Sequence, residues 1–205
     1  MRGRNQGKQR AARMTEFTIV GISGNLTRPS KTRALVGEIL RQASSLVAAR
    51  TELYDVIDAG PELGTTVQRA GAPAGPERIF SAIERADALV VASPVFKASY
   101  TGLFKHLFDL LDPKVLEGRP ILVAATAGSD RHALVLEHQF RPLFAFFRAS
   151  VLPIGIYAIN ADFEADGAPN KGLIEQIAPA AEQLVAALAG SARACEPGAT
   201  IVRVA

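Results

Sequence analysis

The sequence predicts a three-layer α/β sandwich built on a five-stranded parallel sheet in the order 2-1-3-4-5. Apolar segments of strand length alternate along the chain with stretches that carry the 3.6-residue spacing of helices. Three of these segments are nearly continuous apolar runs, a pattern typical of parallel strands buried on both faces: Phe17–Ile22, Ala88–Ala92 and Ile121–Thr126. Strands joined by helical crossovers, with a last helix, form a doubly wound sheet whose switch point lies beside the first strand.

The remaining elements have weaker patterns. Glu52–Ile57 alternates apolar and polar residues and is predicted to be an edge strand, and Val151–Ile159 is interrupted by Pro153, which indicates an edge or a bulge. The predicted helices are Lys31–Ala49, Pro76–Ala86, Thr101–Leu111, Leu134–Phe147 and Leu173–Leu188. Pro142 lies inside the fourth helix, where it removes a backbone bond and is expected to bend the helix. Asp58–Gly75, rich in glycine and proline, predicts a long connection.

The length and charge of the chain suggest one domain with tails. The 205 residues are 48% hydrophobic, which is ordinary for a globular core. The net charge of +3 falls to −2 without the five basic residues of the first segment, which are Arg2, Arg4, Lys8, Arg10 and Arg13. We therefore expect a disordered basic tail at 1–14, a domain at 15–192 and a C-terminal extension at 193–205.

The composition also bounds the compartment and the partners. The basic segment lacks the apolar stretch of a secretory signal, and no apolar run approaches the roughly 20 residues that span a bilayer. The single cysteine, Cys195, excludes an internal disulfide and a cysteine-built zinc site. We expect a cytoplasmic protein with no metal, no membrane association and no nucleic-acid partner.

A turn rich in hydroxyl groups separates the first strand from the first helix. The first amides of a helix have no partner inside it, and the helix dipole favours negative charge there. The residues of this turn that could contact an anion are Ser23, Thr27, Arg28, Ser30, Lys31 and Thr32. The turn therefore predicts a phosphate site, although Ser30 could instead serve only as the helix N-cap.

Two well-known phosphate motifs do not match this turn. A Walker A loop requires a glycine where Ser30 stands, directly before Lys31 and Thr32. A dinucleotide fingerprint requires three glycines, and the turn has only Gly21 and Gly24. What remains is a mononucleotide phosphate held by hydroxyl groups and backbone amides.

Three turns are expected to meet at the carboxyl edge of the sheet: Ser23–Thr32, Ser93–Tyr100 and Thr126–Arg131. Their motifs are Gly21-Ile-Ser23 with Ser30-Lys-Thr32, Ser93-Pro-Val-Phe-Lys97 with Tyr100-Thr-Gly102 and Lys105, and Thr126-Ala-Gly128. In this order and spacing the chain resembles the NAD(P)H-dependent FMN reductases of the flavodoxin-like fold. It is most similar to the branch of reductase components that serve alkanesulfonate and methanesulfonate two-component monooxygenases.

The resemblance implies a cofactor, a reaction and a set of binding residues. It implies hydride transfer from NAD(P)H to N5 of FMN, with reduced FMN passed to a separate monooxygenase. The implied FMN-binding residues are Ser23, Ser30, Lys31, Thr32, Pro94, Val95, Phe96, Lys97, Thr126, Ala127 and Gly128. Positioning of the two rings is sufficient for this step, so no catalytic acid or base is expected. His138, where relatives tend to carry tyrosine, is a candidate for tuning flavin release or subunit packing.

Several alternatives stay open. The large aromatic content of the third and fourth helices favours a homodimer or homotetramer, because one sheet face does not plainly cover it. A quinone or azo reductase with tightly bound FMN and a non-enzymatic electron carrier of the flavodoxin type are the competing functions. The choice between NADH and NADPH is undecided, since Arg28, Lys31 and Arg131 are each candidates to meet a 2′-phosphate.

Overall fold

The computed structural model describes residues 16–194. The predicted basic tail at 1–14 lies outside the described residues, and so does the predicted C-terminal extension at 193–205 except for residues 193 and 194, which belong to the last helix. The strands are β1 (Phe17–Ser23), β2 (Ala49–Asp55), β3 (Ala88–Pro94), β4 (Pro120–Ala127), β5 (Ser150–Val151) and β6 (Ile156–Ile159). The α-helices are α1 (Lys31–Leu46), α2 (Ala74–Arg85), α3 (Gly102–Asp109), α4 (Arg141–Phe146) and α5 (Lys171–Ala194).

The sheet is parallel, and its order β2-β1-β3-β4 followed by β5 confirms the predicted topology. The predicted fifth strand is wrong in one respect, because it is two short strands that both pair with β4. The break contains Pro153, which has no amide to donate to a ladder. The Arg141 guanidinium donates to the carbonyl oxygens of Leu152 and Pro153 at 2.7 and 2.6 Å, so the interrupted backbone still has partners.

The start of β2 differs from the prediction. Residues 47–49 suit a helix by composition, but α1 ends at Leu46, and β2 begins at Ala49 in register with Phe17. Pairing along the whole of β1 thus overrides the local pattern. After Asp55 the chain enters the 3₁₀ turns Val56–Ala59 and Pro61–Thr65, so the predicted connection is partly ordered.

Two helices cover one face of the sheet and three cover the other. The core that involves α1 and α5 is separate from the core that involves α2, α3 and α4. Gly21 lets α1 lie close against β1, since a Cβ there would stand 2.5 Å from Cγ1 of Val36. This close approach sets the first turn of α1 directly above the end of β1.

The aromatic residues of the α3 and α4 region pack inside the chain. Fully or nearly buried rings are Phe104, Phe108, Phe140, Phe144 and Phe147. Phe108 lies 5.0 Å from both Phe104 and Phe144, measured between ring centroids. The core therefore absorbs most of the aromatic surface that suggested a subunit contact. Phe146 and Leu134 stay exposed, at 67% and 64% of their surface.

The predicted helix at 134–147 is two segments. Leu136–Phe140 forms a π-helical turn, in which the Arg141 amide donates to the Leu136 carbonyl, and α4 follows it. Pro142 lies in the first turn of α4, directly after the π-helical turn, so the change from π-helical to α-helical pairing occurs next to the proline. Among residues 16–194 no helix combines the length and the apolar character that crossing a bilayer requires.

Candidate functional site

A crevice of about 880 Å³ opens at the carboxyl edge of the sheet, and a hollow of about 220 Å³ adjoins it. Both are lined by Lys31, Pro94, Phe96, Thr126 and Phe163. The turns after β1, β3 and β4 meet there, as the topology predicts. A fourth segment, 163–168, which follows β6, closes the outer side and was not expected from the sequence.

The turn after β1 presents the start of α1 to the crevice. Ser30 is the N-cap of α1, and its Oγ accepts a hydrogen bond from the Arg33 amide at 3.2 Å. The Ala34 amide donates to the Ser30 carbonyl. The amides of Lys31 and Thr32 precede these bonds and have no carbonyl within the helix to reach. The first turn of α1 therefore offers two backbone donors beside the crevice, where negative charge is favoured.

Lys31 and Thr32 connect this turn to the rest of the crevice. The Lys31 ammonium donates to Oδ1 of Asn160 at 3.1 Å and lies 5.5 Å from the centre of the Phe163 ring. The buried Thr32 hydroxyl lies 2.5 Å from the hydroxyl of Thr126 at the end of β4. The predicted residues Ser30, Lys31, Thr32 and Thr126 are thus brought to one place.

Ser23 and Arg28 have other partners. Ser23 is fully buried, and its hydroxyl donates to Oδ1 of Asn25 at 2.6 Å. Ser23 therefore stabilises the turn between β1 and α1 from the protein interior. Arg28 donates to Asp55 at 2.7 and 2.8 Å and to Asp58 at 2.7 Å. The hydrogen bond with Asp55 raises the pKa of the Arg28 guanidinium above its ordinary value, and the bond with Asp58 adds to this. Arg28 is therefore a neutralised charge outside the crevice lining.

The turn after β3 supplies an apolar wall. Pro94 and Phe96 line the crevice, and the Phe96 ring is 51% exposed. The amides of Phe96 and Ser99 donate to each other's carbonyls, which closes a tight turn over Lys97 and Ala98. Both central residues have positive φ, 50° and 67°, a conformation that costs roughly 1 kcal/mol or more for a residue with a Cβ. A two-residue turn with positive φ at both positions usually contains glycine or asparagine.

Thr101 anchors this turn to the first one, and sequence reasoning missed it. Its side chain is 1% exposed, and its hydroxyl donates to the Gly24 carbonyl at 2.7 Å. Its amide donates to the buried Ser93 hydroxyl at 3.0 Å, and the same Thr101 oxygen caps α3 at Phe104. A threonine at the first position of the predicted helix was the available signal, because threonine is a common N-cap.

The end of β4 faces the smaller hollow. Val95, Ala127 and Gly128 line it together with Asn160, and the Val95 amide donates to the Thr126 carbonyl at 2.8 Å. Gly128 is exposed, and a Cβ there would stand 4.0 Å from the side-chain Nδ2 of Asn160. The backbone of Gly128 is therefore accessible from the hollow.

The fourth segment brings two carboxylates to the crevice. Phe163, Glu164 and Asp166 line it, and Gly167 adopts a φ of 86° in the turn that follows. With Lys31, the charged residues of the lining are one cation and two anions. The Asp166-Gly167 pair was the available sequence signal for a turn, but nothing in the sequence placed that turn over the crevice.

Two predicted residues lie elsewhere. Lys97 is exposed at the tip of the β3 turn and outside both linings. His138 is exposed on the π-helical turn and lines a separate hollow of about 520 Å³ with Tyr100 and Phe146.

Comparison with known proteins identifies the family. Residues 17–164 match the family described as NADPH-dependent FMN reductase. The chain is 44% identical to an FMN reductase (NADPH) of Pseudomonas aeruginosa, over 82% of this chain and 90% of that protein. It is 46% identical to the NADH-dependent FMN reductase SfnF of Pseudomonas fluorescens, over 80% of this chain and 88% of that protein.

Solved structures of oxidoreductases also resemble this chain. An oxidoreductase from Corynebacterium diphtheriae superposes with a TM-score of 0.76 at 38% identity, covering 85% of this chain and 98% of the other. The apo form of an NADH:FMN oxidoreductase gives a TM-score of 0.76 at 28% identity, with 88% and 92% covered. An archaeal flavodoxin, 11% identical with a TM-score of 0.57, shares the fold. The chain belongs to the NADPH-dependent FMN reductase family, and it is a flavodoxin-like oxidoreductase that uses FMN and a nicotinamide nucleotide.

Proposed function

We propose that this protein reduces FMN with NADH or NADPH in the crevice and releases reduced FMN to a partner monooxygenase. One observation carries the proposal: an open helix N-terminus and an apolar wall of Pro94 and Phe96 line the same crevice. These two surfaces match the two ends of FMN, which are a phosphate and a flat ring.

The phosphate end is assigned to the first turn of α1. Ser30, Lys31 and Thr32 would contact the phosphate through their side chains, and the amides of Lys31 and Thr32 would donate to its oxygens. Ser23 and Asn25 would act from below, by fixing the turn. Charge-assisted bonds from backbone amides to an anion are stronger than neutral ones, so this turn would supply most of the polar affinity.

The ring end is assigned to the turns after β3 and β4. Phe96 and Pro94 give a flat apolar surface, while Val95, Ala127 and Gly128 would border the opposite edge of the ring. The amides of Val95 and Phe96 already donate to protein carbonyls. We therefore propose that the bound ring extends beyond the two linings to the tip of the β3 turn, where the backbone amides of Lys97 and Ala98 would donate to its carbonyls. This is a role for Lys97 that needs its backbone and not its ammonium group.

The chemistry needs few side chains. When bound, FMN provides the hydride acceptor at N5 of its ring, and the nicotinamide provides hydride from C4. The residues of the crevice hold the two rings in contact and exclude water from between them. His138, which lies outside the crevice lining, is given no part in this step.

The charges of the crevice favour release of the flavin. A dianionic phosphate would meet one lysine, two exposed carboxylates and the dipole of α1. Arg28 and Arg33 are paired with Asp55 and Asp58 and add little net positive potential. Moderate affinity suits a flavin that leaves after reduction, and cytoplasmic nicotinamide nucleotides would supply the electrons.

Nicotinamide oxidation by the purified protein tests the activity. We expect NADH or NADPH to be consumed rapidly only when FMN is added, and no flavin-dependent consumption with either nucleotide would reject the proposal. Anaerobic ultrafiltration after reduction separates the two fates of FMN. Reduced FMN should pass the filter, whereas retention with the protein would favour a reductase with bound flavin.

We further propose a homo-oligomer formed through the α3–α4 side of the molecule. Leu103, Leu134 and Phe146 leave apolar surface exposed there, beside the hollow of about 520 Å³. Sedimentation equilibrium of the protein and of its Phe146→Ser variant tests this. A monomeric native protein would contradict the proposal. So would a Phe146→Ser variant with the same mass and the same association constant as the native protein.

A further inference from the structure

Asp55, at the carboxyl end of β2, is a buried carboxylate that accepts hydrogen bonds from the turn between β1 and α1. Its side chain is fully buried. It accepts hydrogen bonds from six nitrogen donors: Arg28 Nε and Nη2, Arg33 Nη1, Asn25 Nδ2, and the backbone amides of Ile57 and Asp58. A buried charge is costly unless it is paired and hydrogen-bonded, and these six donors offset that cost.

Half of these donors come from the turn between β1 and α1. Asn25 links Asp55 to both sides of the turn, because its Oδ1 accepts from the Ser23 hydroxyl and its Nδ2 also donates to the Thr27 carbonyl. The Arg28 guanidinium makes a bidentate contact with both carboxylate oxygens of Asp55, at 2.7 and 2.8 Å. The path of residues 25–28 is thus determined by a residue 27 to 30 positions away in the sequence.

Asp55 itself does not reach the crevice. Neither Asp55 nor its partners Arg28 and Arg33 are among the lining residues, whereas Asn25 and Thr27 are. The two arginines and the two aspartates, Asp55 and Asp58, balance one another in charge. The cluster therefore creates little net positive potential at the crevice. It can affect a bound anion only by determining the conformation of the turn between β1 and α1.

We propose that Asp55 is a positioning residue for the phosphate half of the site, which it holds open through Asn25 and Arg28. This inference rests on the proposed function, since it takes the phosphate of FMN as the ligand. Without the carboxylate, the turn loses its link to β2, and the first amides of α1 lose their fixed approach to the phosphate. The ring half of the site, on the turns after β3 and β4, is untouched.

Flavin binding followed by fluorescence tests the proposal, with FMN and riboflavin compared on each variant. In Asp55→Asn the Kd for FMN should rise about tenfold or more, because several charge-assisted bonds to phosphate lose their geometry. The Kd for riboflavin, which lacks the phosphate, should stay within about twofold. The kcat at saturating FMN should be unchanged, because the rings meet on other turns.

Two further variants serve as a second test and as a control. Arg28→Met removes the bidentate contact, but Asp55 keeps its bonds from Asn25, Arg33 and the amides of Ile57 and Asp58, so the fold should survive even if Asp55→Asn is unstable. It should show the same loss for FMN alone. Glu38→Gln breaks the ion pair with Arg41 on the outer side of α1 and should leave both flavins unaffected.

The outcomes separate this inference from the proposed function. An unchanged Kd for FMN in both Asp55→Asn and Arg28→Met would overturn the inference. An equal loss for FMN and riboflavin would do the same, since it would show a general structural role. Failure of the native protein to bind or reduce FMN would instead reject the proposed function.

Discussion

The hydroxyl oxygens of Thr32 and Thr126 lie 2.5 Å apart and join the first turn of α1 to the end of β4. Both side chains are at least nine-tenths buried, at 2% and 7% exposure. The bond connects the element assigned to the phosphate with the one assigned to the edge of the flavin ring. This pair of threonines therefore links the two halves of the crevice directly.

Replacing either threonine by valine should destabilise the protein and loosen the site. Each single variant should lose about 1–2 kcal/mol of unfolding free energy, because the remaining hydroxyl is left buried without its partner. The double variant should lose less than the sum, since it leaves no unpaired hydroxyl. Urea unfolding of the four proteins measures this cycle, and strictly additive losses would show that the two groups do not interact.

Lys31→Met should weaken FMN binding selectively. Among residues 16–194, Lys31 is the one cation that lines the crevice, and its loss should raise the KM for FMN about three- to tenfold, with kcat little changed. The salt dependence of that KM should also become shallower. Lys171→Met, on an exposed lysine at the start of α5, is the matched control. An unchanged KM in Lys31→Met would remove this lysine from the site.

Ala98→Gly should stabilise the turn after β3. Glycine adopts a φ of 67° without the steric cost that alanine meets there, and this gain exceeds the entropy that glycine loses on folding. We expect a net gain of up to ~1 kcal/mol, seen as a higher Tm. Ala98→Val should move Tm in the opposite direction, because a branched Cβ is worse at positive φ. A lower Tm for the glycine variant would contradict the strain assigned to this turn.

Asp58 should make stability depend on acid pH. Burial alone would raise the pKa of its carboxyl, but the Asp55 amide and the Arg28 guanidinium donate to it, and its pKa falls below the ordinary value. A group whose pKa is lowered on folding contributes stability above its unfolded value, which is near 3.9, and loses that contribution as pH falls through the folded value. Asp58→Asn should therefore be less stable than the native protein at pH 7, with a smaller difference near pH 3. Denaturant unfolding at both pH values measures the gap, and a gap that grows on acidification would show the wrong sign.

The sequence was sufficient for the order of the sheet and for three of the four segments at the crevice. Long apolar runs at β1, β3 and β4 predict buried parallel strands, and the parallel order brings their carboxyl ends together. The segment 163–168 escaped prediction because its position depends on how the last strand breaks at Pro153 and resumes at Ile156. No local pattern encodes that path.

The contacts of charged residues were the other part that the sequence could not supply. Arg28 sits in a turn typical of anion binding, yet its partners are Asp55 at the end of β2 and Asp58 in the 3₁₀ turn that follows. The pairing depends on the register of β1 with β2, in which Ser23 lies opposite Asp55. Likewise, the number of aromatic residues in α3 and α4 suggested a subunit interface. The sequence did not show that the core of this chain has room to bury most of these rings.

Titration of the native protein with FMN and with riboflavin, followed by flavin fluorescence, shows whether the crevice binds a flavin by its phosphate. We expect saturable quenching of both flavins, with at least about a tenfold lower Kd for FMN, because only FMN carries the phosphate that the first turn of α1 would bind. Equal Kd values would show that the turn does not bind the phosphate. Fluorescence that stays constant with FMN at all protein concentrations would contradict a flavin site in this crevice altogether.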